Sequence, residues 1–153
     1  MRKVIRDAIK CGPVPKIRKW RDFAPAKWTR AERNMAFAER HCVVPEGPLV
    51  GKQIRLADFQ EAFFYAIYDN TVPTKKALLS IARKNSKTAT IAMIVVIHGA
   101  GPEAKQNSRI NSGARSRKQA AEVYNYASKM IKLSPTLRRL CRTVDSAIIR
   151  PPI

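Results

Sequence analysis

Ala77-Leu-Leu-Ser-Ile-Ala-Arg-Lys-Asn-Ser-Lys-Thr-Ala-Thr-Ile-Ala-Met-Ile-Val-Val-Ile97 runs a short apolar segment into a Lys-Thr pair and then into a long apolar helical pattern. This order suits a phosphate-binding loop. A buried strand delivers the chain to a tight turn, and backbone N–H groups of the turn and first helical turn face the phosphates. The lysine reaches the β/γ-phosphates and the hydroxyl reaches Mg²⁺. Lys87 and Thr88 fill those two roles. The pattern G-x-x-x-x-G-K-[ST] is met only in its last two positions, because Ile81 stands at the first glycine and Ser86 at the second. On these residues alone, a basic turn between a strand and a buried helix remains an open alternative.

The surrounding segments resemble one family. Ala82-Arg-Lys-Asn-Ser-Lys-Thr88 is similar to the degenerate Walker A loop of the large terminase subunit of tailed bacteriophages and prophages, Ala-Arg-Lys-Asn-Gly-Lys-Thr, from which only Ser86 departs. Upstream, Ala31-Glu-Arg-Asn34, Glu39-Arg-His-Cys-Val-Val-Pro-Glu-Gly47 and Val50-Gly-Lys-Gln-Ile-Arg-Leu-Ala-Asp-Phe-Gln60 resemble its helical N-terminal segment, with an adenine-reading Phe-Gln pair. Downstream, Gly101-Pro-Glu-Ala-Lys-Gln-Asn-Ser108 and Ser112-Gly-Ala-Arg-Ser-Arg-Lys-Gln-Ala-Ala121 resemble its second strand-to-helix unit. The resemblance is collinear over residues 28 to 140.

That resemblance implies an ATPase core that binds ATP and Mg²⁺, with roles for particular residues. Phe59 packs beside adenine, and the Gln60 amide accepts from the exocyclic amine while donating to N7. Arg83 lies near the γ-phosphate, where a guanidinium stabilises charge on the transferred phosphoryl group. Lys84, Asn85, Ser86, Lys87 and Thr88 complete the nucleotide-binding loop, with Thr88 toward the metal. A side chain at Ser86 crowds the nucleotide or disfavours the loop conformation that glycine would supply. The resemblance also implies double-stranded DNA, a small terminase subunit and the capsid portal as partners of the intact protein.

Length qualifies these expectations. The 153 residues make one domain's worth of chain, whereas the family adds a nuclease domain. No Asp-Glu or Glu-Glu pair occurs to serve as a Walker B segment, and Asp145-Ser-Ala-Ile-Ile-Arg-Pro-Pro-Ile153 departs from the family's continuation. A truncated prophage remnant or a fragment, impaired in catalysis, is the expectation. A non-enzymatic basic nucleic-acid-binding module and a non-functional remnant remain as alternatives.

Charge favours polyanions. The net charge of +19 is distributed as +8 over residues 1–40, −2 over 41–72, +5 over 73–100 and +8 over 101–153. Cys11, Cys42 and Cys141 lack metal or disulfide spacing, which agrees with a reducing cytoplasm. His41-Cys42 has no third ligand nearby and reads as structural; His98 reads as helix-end chemistry. The apolar run Ala89–Ile97 is short of the roughly 20 residues that span a bilayer, and no signal peptide or membrane anchor is expected.

The pattern predicts three segments: a basic, loosely ordered arm over 1–27, a helical segment over 28–74, and a partial P-loop core over 75–153. Thr29 and Glu32 read as a capping box opening a helix that ends near Arg40 or His41. A second helix runs from an Asp58 cap to Tyr68 and buries Phe59, Phe63 and Ile67; residues 70–74 form a turn. Strands over Ala77–Ile81 and Arg109–Ser112 alternate with helices over Lys87–His98 and Arg117–Leu133, the latter closed by Ser134-Pro135. The predicted fold class is therefore α/β, an incomplete three-layer parallel sheet of the P-loop NTPase type with a helical N-terminal segment.

Overall fold

A computed structural model of the protein describes residues 3–9, 12, 14–144 and 147–151. The chain divides into two compact units, each discontinuous in sequence: residues 1–36 with 55–80, and residues 37–54 with 81–153. The predicted three consecutive segments are thus interleaved, and one unit boundary falls inside a helix.

In the first unit, helix α1 (Lys3–Ala8) is followed by 3₁₀ turns at Trp20–Asp22 and Pro25–Lys27, by the start of α2 (Arg30–His41), and by α3 (Asp58–Tyr68). The expected capping box forms. Glu32 Oε2 accepts from the Thr29 N–H at 2.8 Å, and Thr29 Oγ1 accepts from the Glu32 N–H at 3.3 Å. Glu32 is fully buried, and its other oxygen accepts the Tyr65 hydroxyl at 2.9 Å and lies 3.2 Å from Arg18 Nε. Burial, and then the bond to Glu32, push the Tyr65 phenol well above its ordinary range.

Residues 14–27 do not form the loosely ordered arm expected. Trp20 is buried, the Trp28 indole donates to the carbonyls of Trp20 and Phe23, and Arg21 pairs with Glu61 at 2.6 Å. Two anchoring carboxylates on α2 and α3 convert a basic stretch into packed structure. Helix α3 also buries a different face from the one predicted: Gln60, Glu61, Phe64, Tyr65 and Tyr68 are inside, while Phe59, Phe63 and Ile67 are half-buried. Both stripes are apolar at four-residue spacing, so periodicity alone did not separate them. The polar contacts of Tyr65 and Glu61 fix the rotation of the helix. Its N-cap is Ala57, one residue before the predicted Asp58, and Gln60 Oε1 reaches back to the Ala57 N–H at 2.9 Å.

The second unit is built on α4 (Lys87–Ala100), α5 (Arg117–Leu133) and α6 (Pro135–Leu140). Helix α4 packs on α5 and α5 on α6. Ala92, Met93, Val96 and Ile97 of α4 are buried, as are Ala127, Met130 and Ile131 of α5 and Leu137 of α6. Burying each of the larger side chains stabilises the unit by about 1.5–3 kcal/mol. Ser116 caps α5 by accepting from the Gln119 N–H, and Ser134 ends α5 while capping α6, with Pro135 at its first position. Helix α4 runs two residues beyond the predicted His98, to Ala100. The Val43–Gly51 loop closes on itself through Val44 N–H to Lys52 O (2.8 Å) and Gly51 N–H to Val44 O (2.9 Å).

The predicted parallel sheet is not formed among the described residues. Neither Ala77–Ile81 nor Arg109–Ser112 is a strand; Leu78 is 88% exposed and Ile110 is 47% exposed. A strand exists only as a hydrogen-bonded partner of another, and neither segment has a ladder neighbour in the described chain. The sheet that does form is an antiparallel pair, β1 (Arg142–Val144) with β2 (Ala147–Ile149), in the register Arg142 opposite Ile149. It lies in a stretch for which no strand was expected. Residues 145 and 146, including Asp145 of the expected departure, lie outside the described residues, as does Cys11.

Two predictions follow from these cores. Glu32→Ala should lower stability to urea by about 2–4 kcal/mol, since it strands the Arg18 and Tyr65 donors, and Tyr65→Phe by about 1–2 kcal/mol; changes within about 0.5 kcal/mol would deny the cluster its anchoring role. Cys42 is fully buried, and burial pushes its thiol up to about 12. Native protein should therefore leave Cys42 unlabelled by iodoacetamide at pH 8, and urea-unfolded protein should label it fully.

Candidate functional site

The loop predicted to hold phosphate lies at the start of α4, in the second unit. Arg83 and Lys84 form a turn, Asn85 and Ser86 a bend, and Lys87 and Thr88 are the first helical residues. Arg83, Lys84, Asn85, Ser86 and Lys87 are exposed, and Thr88 is half-buried. Three cations and a helix N-terminus therefore face solvent together, with no acidic residue anywhere in 73–100.

Two residues of this loop take the left-handed conformation: Lys84 at φ 67° and Ser86 at φ 56°, ψ 25°. For a residue other than glycine this costs about 1–2 kcal/mol. The position where the motif calls for glycine is thus one whose backbone has the hand glycine favours. The left-handed backbone also turns the Ser86 side chain away from its usual capping task, for it makes no cap hydrogen bond to α4. The first N–H groups of α4 have no side-chain cap and are suited to an anion.

Beside Thr88 opens a polar cleft of about 440 Å³ lined by Glu46, Glu122, Asn125, Tyr126 and Lys129. Glu46 is held below the usual carboxylate range by its hydrogen bond from Lys129 and then by that from Tyr126. The bond to Glu46 raises Tyr126 in turn. Glu46 is thus an ionised, already partnered carboxylate. Among the described residues no group of three or more His, Cys, Asp or Glu gathers to hold a metal ion. A divalent ion at this loop would depend on the Thr88 hydroxyl and on ligands from a bound phosphate chain.

Phe59 and Gln60 belong to the first unit, on the opening turn of α3. Gln60 is 6% exposed, and its carbonyl oxygen holds the Ala57 N–H. The acceptor half of the amide therefore already serves the helix end, which the sequence did not suggest. The sequence reading also missed Thr90. It lies one helical turn beyond Ser86, is fully buried, and places both its N–H and its Oγ1 on the Ser86 carbonyl at 2.9 Å. A threonine four residues after the loop serine was the available signal.

Comparison with known proteins places this geometry. Residues 58–150 match the family described as terminase large subunit, ATPase domain. The match continues past residue 140, where the resemblance had been expected to end. The terminase large subunit of Enterobacteria phage HK97 is 53% identical over 118 residues, covering 77% of this chain and 23% of that protein. The crystal structure of the HK97 bacteriophage large terminase superposes with a TM-score of 0.75 at 48% identity, covering 82% of this chain and 26% of that one. The chain thus spans about a quarter of the length of these relatives.

Proposed function

Since the chain belongs to the terminase large subunit family, matched over the ATPase domain, we propose that it is the ATP-binding N-terminal part of a DNA-packaging motor. The observation that carries this reading is Ser86: a serine in a glycine-like left-handed conformation, between exposed cations and an uncapped helix N-terminus. In this reading Lys87 is the point charge for the β/γ-phosphates, and the backbone N–H groups opening α4 bind phosphate oxygens. Thr88 directs its hydroxyl to Mg²⁺, which when bound neutralises charge on the phosphates. Arg83 takes the γ-phosphate side, with Lys84 and Asn85 completing the loop, and Phe59 and Gln60 take the purine. Each of these roles comes from the family resemblance, and the loop conformation supports it.

Phosphoryl transfer also requires acidic groups that organise the metal and the attacking water. These 153 residues contain no adjacent acidic pair, so turnover by this chain alone is expected to stay at background. The completed protein would act on double-stranded DNA with a small terminase subunit and the capsid portal, in the cytoplasm of a bacterial host. Among the described residues no helix is long and apolar enough to cross a membrane. The net charge of +19 favours a second reading, a non-enzymatic basic module that binds nucleic acid.

Titration calorimetry with a non-hydrolysable ATP analogue and Mg²⁺ separates the two. Lys87→Ala should weaken binding about ten-fold or more, the loss of a charged hydrogen-bonding partner. Ser86→Gly should tighten it, and GTP should bind more weakly than ATP if Gln60 reads the base. Equal affinity for all three proteins would reject the phosphate-loop assignment. Duplex DNA should bind without sequence preference, with log K falling against log salt by about 0.9 per phosphate contacted. Binding that is insensitive to salt would remove DNA as the partner of this charge.

A further inference from the structure

The conformation of Ser86 needs something to hold it. A serine has no intrinsic preference for a left-handed backbone, its own side chain does not cap α4, and the residues from Arg83 to Lys87 are all exposed. Its carbonyl is the one group tied to the interior. That oxygen receives two donors from a single residue: the Thr90 N–H at 2.9 Å, which is the ordinary first bond of the helix, and the Thr90 hydroxyl, also at 2.9 Å. Thr90 is fully buried on a helix that packs against α5.

We propose that Thr90 is a positioning residue: its buried hydroxyl fixes the Ser86 carbonyl and so locks the left-handed junction that aims the loop's N–H groups at an anion. On an exposed helix, a threonine hydroxyl bonded four residues back exchanges readily with water and contributes little. Here the hydroxyl is desolvated, and turning Ser86 toward a right-handed backbone would swing its carbonyl off both donors. Thr90 also ties the exposed loop to the packed helix pair, because the same residue belongs to both. The hydroxyl replaces, from within the core, the conformational freedom that glycine would have supplied at position 86. Its consequence for nucleotide rests on the phosphate-loop reading of residues 83–88; its consequence for loop order does not.

Both consequences can be read on the full chain. Thr90→Val keeps the shape and removes the hydroxyl, Thr90→Ser keeps the hydroxyl, and each is also made in a Ser86→Gly background. Without nucleotide, trypsin cleavage after Arg83, Lys84 and Lys87 reports loop order. Thr90→Val should speed it about five-fold, the equivalent of one hydrogen bond, while Thr90→Ser stays close to wild type. Affinity for a fluorescent ATP analogue with Mg²⁺ should fall by a similar factor. In the Ser86→Gly background the same Thr90→Val change should matter less than about two-fold, because glycine occupies the left-handed region without help. Equal losses in both backgrounds would mean that Thr90 acts through packing and would overturn the proposal, as would Thr90→Val behaving like wild type. If Thr90→Val does not fold by circular dichroism, Thr90→Ala against Thr90→Ser isolates the hydroxyl, and equal cleavage rates for that pair would overturn it. If no variant, wild type included, binds the ATP analogue, the phosphate-loop reading fails, and the cleavage rates still decide the role of Thr90.

Discussion

Burial of one face of α4 against α5 is the constraint on which the loop before α4 depends. Residues 83–87 are solvent-exposed and have no core of their own. What gives them a definite path is that the next residues are immovable: Thr90, Ala92, Met93, Val96 and Ile97 are all buried. The apolar helix stabilises the unit, and Thr90 conveys that rigidity one turn upstream to a strained carbonyl. A phosphate-binding loop must hold its N–H groups in place before the ligand arrives, since ordering them at binding would cost affinity. The packed helix performs that ordering in advance.

The first unit solves a related problem with charge. Arg18 and Arg21 sit in a stretch of sequence whose basic character would leave it solvated. Glu32 and Glu61 instead bind them to helices, and the Glu32 carboxylate serves three donors from three parts of the chain: the Thr29 N–H, the Tyr65 hydroxyl and Arg18. A buried carboxylate is tolerable only when its lone pairs are so occupied. A local capping device thereby doubles as a tertiary anchor.

Terminase family membership makes sense of the pattern of exposure. Leu78 and Ile110 lie in segments that have apolar strand character and yet stand in solvent, without a neighbouring strand. The relatives are about four times longer than this chain, which covers 23–26% of them. Lengthened chain offers the ladder partners that such segments require, because backbone groups of a strand are satisfied by another strand and not by their own.

The sequence alone determined the helices and the loop. Thr29 with Glu32 set the start of α2, Ser116 and the Ser134-Pro135 pair bounded α5 at the predicted residues, and the Lys87-Thr88 pair marked where α4 begins. Those features are legible because their hydrogen bonds join residues three or four apart, so the chemistry is complete within a short window. The hand of Ser86, the buried face of α3 and the docking of residues 14–27 were decided only by tertiary structure. So was the fate of the two predicted strands. Each depends on partners far along the chain, as Tyr65 depends on Glu32 thirty-three residues away. A local pattern states what a segment can form, and the groups that reach it in three dimensions decide whether it forms.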